Sequence, residues 1–294
     1  MEKMKGAYAA IVTPFDANEK INYSALECLI ERNISGGIAG VYVSGSTGES
    51  YMLSFQERKN LLEAVVKVVA NRCNVIANIG AFSLKHAVEL AKHAADLGVD
   101  AISSVPPFYF PFSKEEIKDY YLELAGAAKL PLLIYNVPAL SGISFSDEEL
   151  VDLMRNSEVA GIKQTSMNLF QTELLTKTFP EKSIVNGHDE IYLQALCAGV
   201  ESCIGSTVGF MPEMFVGLKR CFDTGDMEGA CDLQSRINNI VRLLCKIGVF
   251  KGVKAALKMQ GIDCGECRRP FRPLSEVEKQ MLQNILEENM MKSM

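Results

Sequence analysis

Eight short apolar runs, each closing on small polar residues and each followed by a segment of helical period, constrain this chain more than any other feature. They read "YAAIVTPF" (8–15), "GVYVSGST" (40–47), "NVIANIG" (74–80), "AISSVPP" (101–107), "LPLLIYNVP" (130–138), "AGIKQTS" (160–166), "SIVNGHD" (183–189) and "ESCIGST" (201–207). Near-continuous apolar character, rather than alternation, marks parallel strands covered on both faces. Between the runs, Leu26, Leu29, Ile30 and Ile34 share one face of a helical segment that ends in glycine. Ser54 with Glu57, and Ser113 with Glu116, have the spacing of capping boxes. Strand and helix in turn imply βαβ units. Eight units within about 200 residues is the count of an α/β fold of the (β/α)8 TIM barrel type. A doubly wound open sheet is the alternative, but it rarely repeats so evenly, and the first strand-to-helix loop lacks the G-x-G-x-x-G of a dinucleotide site. We therefore expect residues 1–207 to supply the barrel strands and helices. Residues 208–294 read as its last helix and a C-terminal helical extension, within one domain because no Gly-, Ser- or Pro-rich linker intervenes.

The bulk numbers narrow the function. Of 294 residues, 48% are apolar and 22% charged, with a net charge of −6. No basic patch stands out, so nucleic acid is not an expected partner. No apolar run approaches the roughly 18–20 residues of a membrane helix. Pro14, Phe15 and Asp16 interrupt the N-terminal apolar stretch, which reads as a first strand rather than a signal peptide. Nine scattered cysteines fit reduced thiols, and a cytoplasmic location is expected. Cys264 and Cys267 form a C-x-x-C without a second pair or histidines at ligand spacing, so we expect buried thiols and no metal site.

In such barrels the chemistry lies at the C-terminal ends of the strands. Lys163 stands there behind Ile162. An amine kept out of water favours its neutral, nucleophilic form and can condense with a ketone; a lysine reaching solvent beside the strand is the alternative. Tyr135, one run earlier, places a phenol where it could relay protons, or else fills the core with its hydroxyl satisfied by backbone. The "GSTG" stretch at 45–48 offers two hydroxyls and backbone N–H groups that suit a carboxylate, or makes a plain turn. Asp189 and Glu190 could accept hydrogen bonds from sugar hydroxyls, or cap the helix that follows. His188 alone makes no metal site, and His86 and His93 read as surface or packing residues.

"GSTGES", "YNVPALSG", "GIKQTS", "NGHDEIY" and the later "GST" together resemble the N-acetylneuraminate lyase and dihydrodipicolinate synthase family of pyruvate-dependent aldolases, from the "TPF" at 13–15 to the C-terminal helices. The resemblance implies the barrel with its helical extension, a homotetramer, and no metal or organic cofactor beyond a covalent imine on Lys163. It implies Tyr135 as the proton-relaying tyrosine and Ser46 and Thr47 as holders of the pyruvate carboxylate. Tyr109, in "PPFYF", matches an aromatic near the subunit interface and the relay, and Thr165 a residue near the scissile bond. Gly187, Asp189, Glu190 and Ser206 match positions that grip the sugar chain. Leu140 stands where the synthase branch carries an arginine for a second carboxylate, so the pattern resembles the sialate-cleaving branch. Sialic acid, pyruvate and N-acetylmannosamine are the implied small-molecule partners. Another pyruvate-dependent aldolase of the family, and a catalytically idle ligand-binding barrel, are the other readings.

Overall fold

The computed structural model describes residues 2–290. Its strands are β1 (Gly6–Ala10), β2 (Gly40–Val43), β3 (Asn74–Asn78), β4 (Ala101–Ser104), β5 (Leu132–Asn136), β6 (Val159–Gln164), β7 (Ser183–Asn186) and β8 (Ser202–Gly205). They pair in sequence order, all parallel, and β8 closes on β1. The expected barrel is therefore the fold. Tyr8, Tyr42, Ile76, Leu133, Val185 and Ile204 belong to one buried cluster that fills the lumen. A second cluster lies between the strands and the helical shell. Because both faces are covered, the strands read as unbroken apolar runs.

The shell consists of α1 (Tyr23–Ser35), α2 (Phe55–Val69), α3 (Leu84–Asp96), α4 (Lys114–Ala128), α5 (Pro138–Ser141), α6 (Asp147–Met154), α7 (Leu169–Thr178), α8 (Tyr192–Cys197) and α9 (Pro212–Thr224). Capping boxes open α2 and α4, at Ser54/Glu57 and Ser113/Glu116, and a third opens α6 at Ser146/Glu149. Beyond the barrel, α10 (Met227–Ile247), α11 (Val249–Met259) and α12 (Glu276–Met290) form the extension, with α10 packed against α9, α11 and α12. Buried Ile240, Leu244, Ala256, Leu257 and Leu282 knit this layer to the main apolar cluster. No helix among the described residues is long and apolar enough to cross a membrane.

The strands are shorter than the runs that announce them. The run at 8–15 becomes β1 over Gly6–Ala10; Ile11 donates a last bond to the Tyr42 carbonyl at 3.2 Å, and Val12 and Phe15 are buried beyond it. The runs at 40–47, 183–189 and 201–207 likewise end as strands at Val43, Asn186 and Gly205. An apolar run reports burial, and the loops leaving this barrel are buried too. The short helix α5 lies in the tail of the fifth run, where Pro138 supplies a helical first position.

Candidate active site

The register of three strands builds the centre of the site. Tyr135 on β5 pairs with Lys163 on β6, which pairs with Val185 on β7, so all three side chains face the lumen. Lys163 is only 4% exposed. Its Nζ lies 4.1 Å from the centroid of the Tyr135 ring and 4.4 Å from that of Tyr42 on β2. Two ring faces thus frame one amine within the range of cation–π contact. Tyr42 and Tyr135 meet edge to face at 6.0 Å, and the Tyr42 hydroxyl donates to Ser103 Oγ at 3.1 Å. Burial, reinforced by Tyr135, pushes the Tyr42 phenol well above its ordinary range.

A row of amides on the outer face fixes that register. Asn136 Nδ2 donates to Gln164 Oε1 at 2.8 Å, and Gln164 Nε2 donates to Gln171 Oε1 at 2.9 Å. Gln171 in turn donates to Asp147 Oδ1 on α6. Asn136 and Gln164 directly follow Tyr135 and Lys163, so their bond holds the two site residues level from behind.

Above β2 the turn at 44–49 begins and ends in left-handed backbone at residues other than glycine, Ser44 at φ +56° and Glu49 at φ +57°. Such conformations persist only where the surroundings enforce them. Here Thr13 Oγ1 donates to the Gly48 carbonyl at 2.7 Å and Asn78 Nδ2 to the Ser44 carbonyl at 2.6 Å. Buried Arg58 holds the Asn78 and Gly80 carbonyls beneath. Over β1, which β2 and β8 flank, Thr47 Oγ1 and Ser206 Oγ lie 2.7 Å apart, so the expected carboxylate holder and an expected sugar-gripping residue touch.

The far side of the mouth comes from β6, β7 and β8. A Cβ on Gly187 would stand 1.9 Å from Thr165 Oγ1, so only glycine lets these loops meet. Asp189 is buried; its Oδ2 accepts the N–H and the hydroxyl of Thr207, each at 2.8 Å. This is not the helix-capping role weighed for it. Its Oδ1 and Thr165 Oγ1 are both buried without a protein partner. Burial pushes the Asp189 carboxyl up to about 6, against the pull of the Thr207 bonds and the Lys163 charge. Half-buried Glu190 lies 3.2 Å from His188 Nδ1. Burial would raise its carboxyl, but the His188 bond and a backbone N–H outweigh that and leave it below its usual range.

Tyr109 is the expected site residue that one chain does not bring in. It is 84% exposed, at φ +84°, packed edge to face on Phe110 outside the mouth. Leu140, 62% exposed, borders a cavity of about 200 Å³ beside Ser46, together with Phe108, Val137 and Phe250. Cys264 and Cys267 are buried free thiols, each pushed up to about 12 chiefly by burial. His86 lies beside the Phe55 ring and His93 lies 2.9 Å from Glu63, both turned toward α2. Among the described residues, no group of His, Cys, Asp and Glu side chains is arranged to hold a metal ion. Sequence reasoning missed Tyr42 and Thr207. Thr207 sits in the quoted "GST", and Tyr42 pairs in register with lumen-facing Ala10.

This arrangement has relatives. An N-acetylneuraminate lyase of Rhizobium meliloti (strain 1021) is 39% identical over 276 residues, which are 94% of this chain and 92% of that protein. The CdNal structure from Clostridium difficile, solved in complex with mannosamine, has a TM-score of 0.94 at 35% identity, covering 98% of this chain and 99% of that one. A dihydrodipicolinate synthase of Bacillus anthracis has a TM-score of 0.93 at 30% identity, covering 98% and 99%. The model of the dihydrodipicolinate synthetase family matches residues 3–289, and the chain belongs to that family.

Proposed function

We propose that this protein is a Schiff-base aldolase that cleaves N-acetylneuraminate reversibly into N-acetylmannosamine and pyruvate. The carrying observation is the buried amine of Lys163, framed by the Tyr135 and Tyr42 rings at the bottom of a mouth rich in hydroxyls. The amine attacks the C2 ketone of the open-chain substrate and water leaves, giving an iminium. Tyr135 takes the proton of the C4 hydroxyl, the C3–C4 bond breaks, and its electron pair moves into the iminium. N-Acetylmannosamine departs as the aldehyde. Protonation of the enamine at C3 and hydrolysis of the imine release pyruvate and restore the amine. Ser46 and Thr47 hold the keto-acid carboxylate. Ser206, Thr165, Gly187, Asp189 and Glu190 face the polyol, and the unpartnered Thr165 Oγ1 and Asp189 Oδ1 are the buried atoms with capacity to spare. The covalent chemistry is assigned to the side chains alone, with no metal or organic cofactor.

The sialate reading over the synthase one rests on Leu140, which puts an apolar side chain where a second carboxylate would need a guanidinium, and on the identity to the Rhizobium meliloti enzyme. The competing reading, condensation of pyruvate with another aldehyde, draws on the likeness to the Bacillus anthracis synthase. A homotetramer, placed in the cytoplasm, is part of the proposal, supported by exposed Phe82, Tyr109 and Phe110, apolar surface that a second copy would cover. Pyruvate release from N-acetylneuraminate, measured beside a coupled assay for condensation of pyruvate with a semialdehyde, tests the assignment. Turnover of the semialdehyde alone would overturn it.

A further inference from the structure

The turn that carries Ser46 and Thr47 ends in a buried carboxylate that the proposed chemistry does not use. Glu49 Oε1 lies 2.8 Å from Nζ of Lys254 on α11, and neither side chain has more than 2% of its surface exposed. Its Oε2 accepts the backbone N–H of Arg268, 219 residues away in the chain, at 2.8 Å. Lys254 also donates to the Glu266 carbonyl at 3.0 Å and stands 4.2 Å over the Phe15 ring. Arg268 then donates to the carbonyls of Met52 and Glu19 and pairs with Glu57, so the strap after α11 is fastened to both ends of the 49–57 segment. A glutamate and a lysine withdrawn from water stabilise a fold less well than apolar residues of the same volume, and left-handed backbone at Glu49 adds a further cost. Apolar packing through Val253, Ala256 and Leu257 already holds α11 in place.

We infer that Glu49 is a positioning residue: through Lys254 and the backbone of Arg268 it lets the C-terminal extension set the height of the Ser46–Thr47 turn, and so the fit of the keto-acid carboxylate. The link to the turn is direct, since the Glu49 N–H donates to the Ser46 carbonyl at 3.1 Å. The inference rests on the carboxylate role proposed for Ser46 and Thr47.

The test uses the full chain and reads pyruvate and sugar separately. Borohydride trapping at graded pyruvate concentrations gives half-saturation for imine formation, and the condensation reaction gives KM for N-acetylmannosamine. Lys254→Met leaves Glu49 without its cation. Glu49→Gln with Lys254→Met leaves no orphan charge, keeps an acceptor for Arg268, and decides the matter alone if the single variant does not fold. The expected result is a half-saturation for pyruvate raised about tenfold by so small a misplacement, with KM for the sugar unchanged. An unchanged pyruvate dependence in the double variant, or an equal rise for both substrates, would overturn the inference while leaving the aldolase reading intact. No trapped pyruvate in the wild-type protein would overturn both.

Discussion

Lys163 and Tyr135 are direct partners across the β5–β6 ladder, and the lysine Nζ stands 4.1 Å from the centre of the tyrosine ring. Neighbouring residues on parallel strands cannot separate without breaking the ladder, so amine and phenol move as one body. Substituting each alone should therefore divide the reaction into its stages. Lys163→Ala should abolish both cleavage and borohydride-dependent incorporation of labelled pyruvate. Tyr135→Phe should still form the imine but lose roughly 10²–10⁴-fold in kcat, the usual weight of a positioned acid–base group. Incorporation of label into the Lys163→Ala protein would refute the role of the amine.

Gly205 tests the architecture of the side of the mouth proposed to take the sugar. A Cβ there would stand 1.7 Å from Asp189 Oδ1 and 3.0 Å from Val208 Cγ2. Gly205→Ala should displace the Asp189 carboxylate from Thr207 at a cost of about 1–3 kcal/mol, as for other overpacked sites. Chemical denaturation reads the stability and KM for N-acetylmannosamine reads the displacement. Wild-type values for both would show that the loop yields freely.

These contacts separate what the sequence discloses from what it does not. Lys163 and Tyr135 were legible because each closes an apolar run, and consecutive runs become neighbouring strands in this fold. The Thr47–Ser206 contact is legible only once β8 is known to close on β1, so that the loops after β2 and β8 meet over it. Tyr42 gave no signal: in a strand buried on both faces, apolar neighbours do not say which residue faces the lumen. Nor did Glu49 and Lys254, whose meeting depends on how the strap after α11 returns to the barrel. Val12 and Phe15 misled in the opposite sense, because burial beyond the end of a strand resembles burial in one. Phe15 N donates to the Cys264 carbonyl at 3.0 Å, so its backbone is satisfied outside the ladder.

Asp189 should make the fold sensitive to pH. Its carboxyl is raised from an ordinary 3.8 to about 6, chiefly by burial, so the folded state disfavours the charged form. The stability tied to this group is full below about pH 4 and is lost as pH rises through about 6, up to about 3 kcal/mol in all. In Asp189→Asn that loss should vanish. The stability difference, variant minus wild type, should move in favour of the variant between pH 4 and 7. Parallel pH profiles of the two melting temperatures would contradict the burial argument.

Glu57 should show the opposite slope. It accepts from Arg268 on the strap and from the N–H of Ser54 at the start of α2, and the guanidinium is the main reason that its carboxyl falls from 4.5 to about 2. A depressed carboxyl stabilises the fold above its unfolded value and ceases to do so as pH falls from about 4.5 toward 2. The pair is partly open to water, which screens it, so the contribution is about 1 kcal/mol rather than the threefold larger figure that the full shift implies. Glu57→Gln should therefore lower the melting temperature at pH 7, and the gap should narrow below about pH 4.5 and close near pH 2. Added salt should narrow the gap at pH 7, because an ion pair partly open to water is screened by ions. A gap that persists undiminished at pH 3 would mean that Glu57 acts through packing and capping, not through the charge of Arg268.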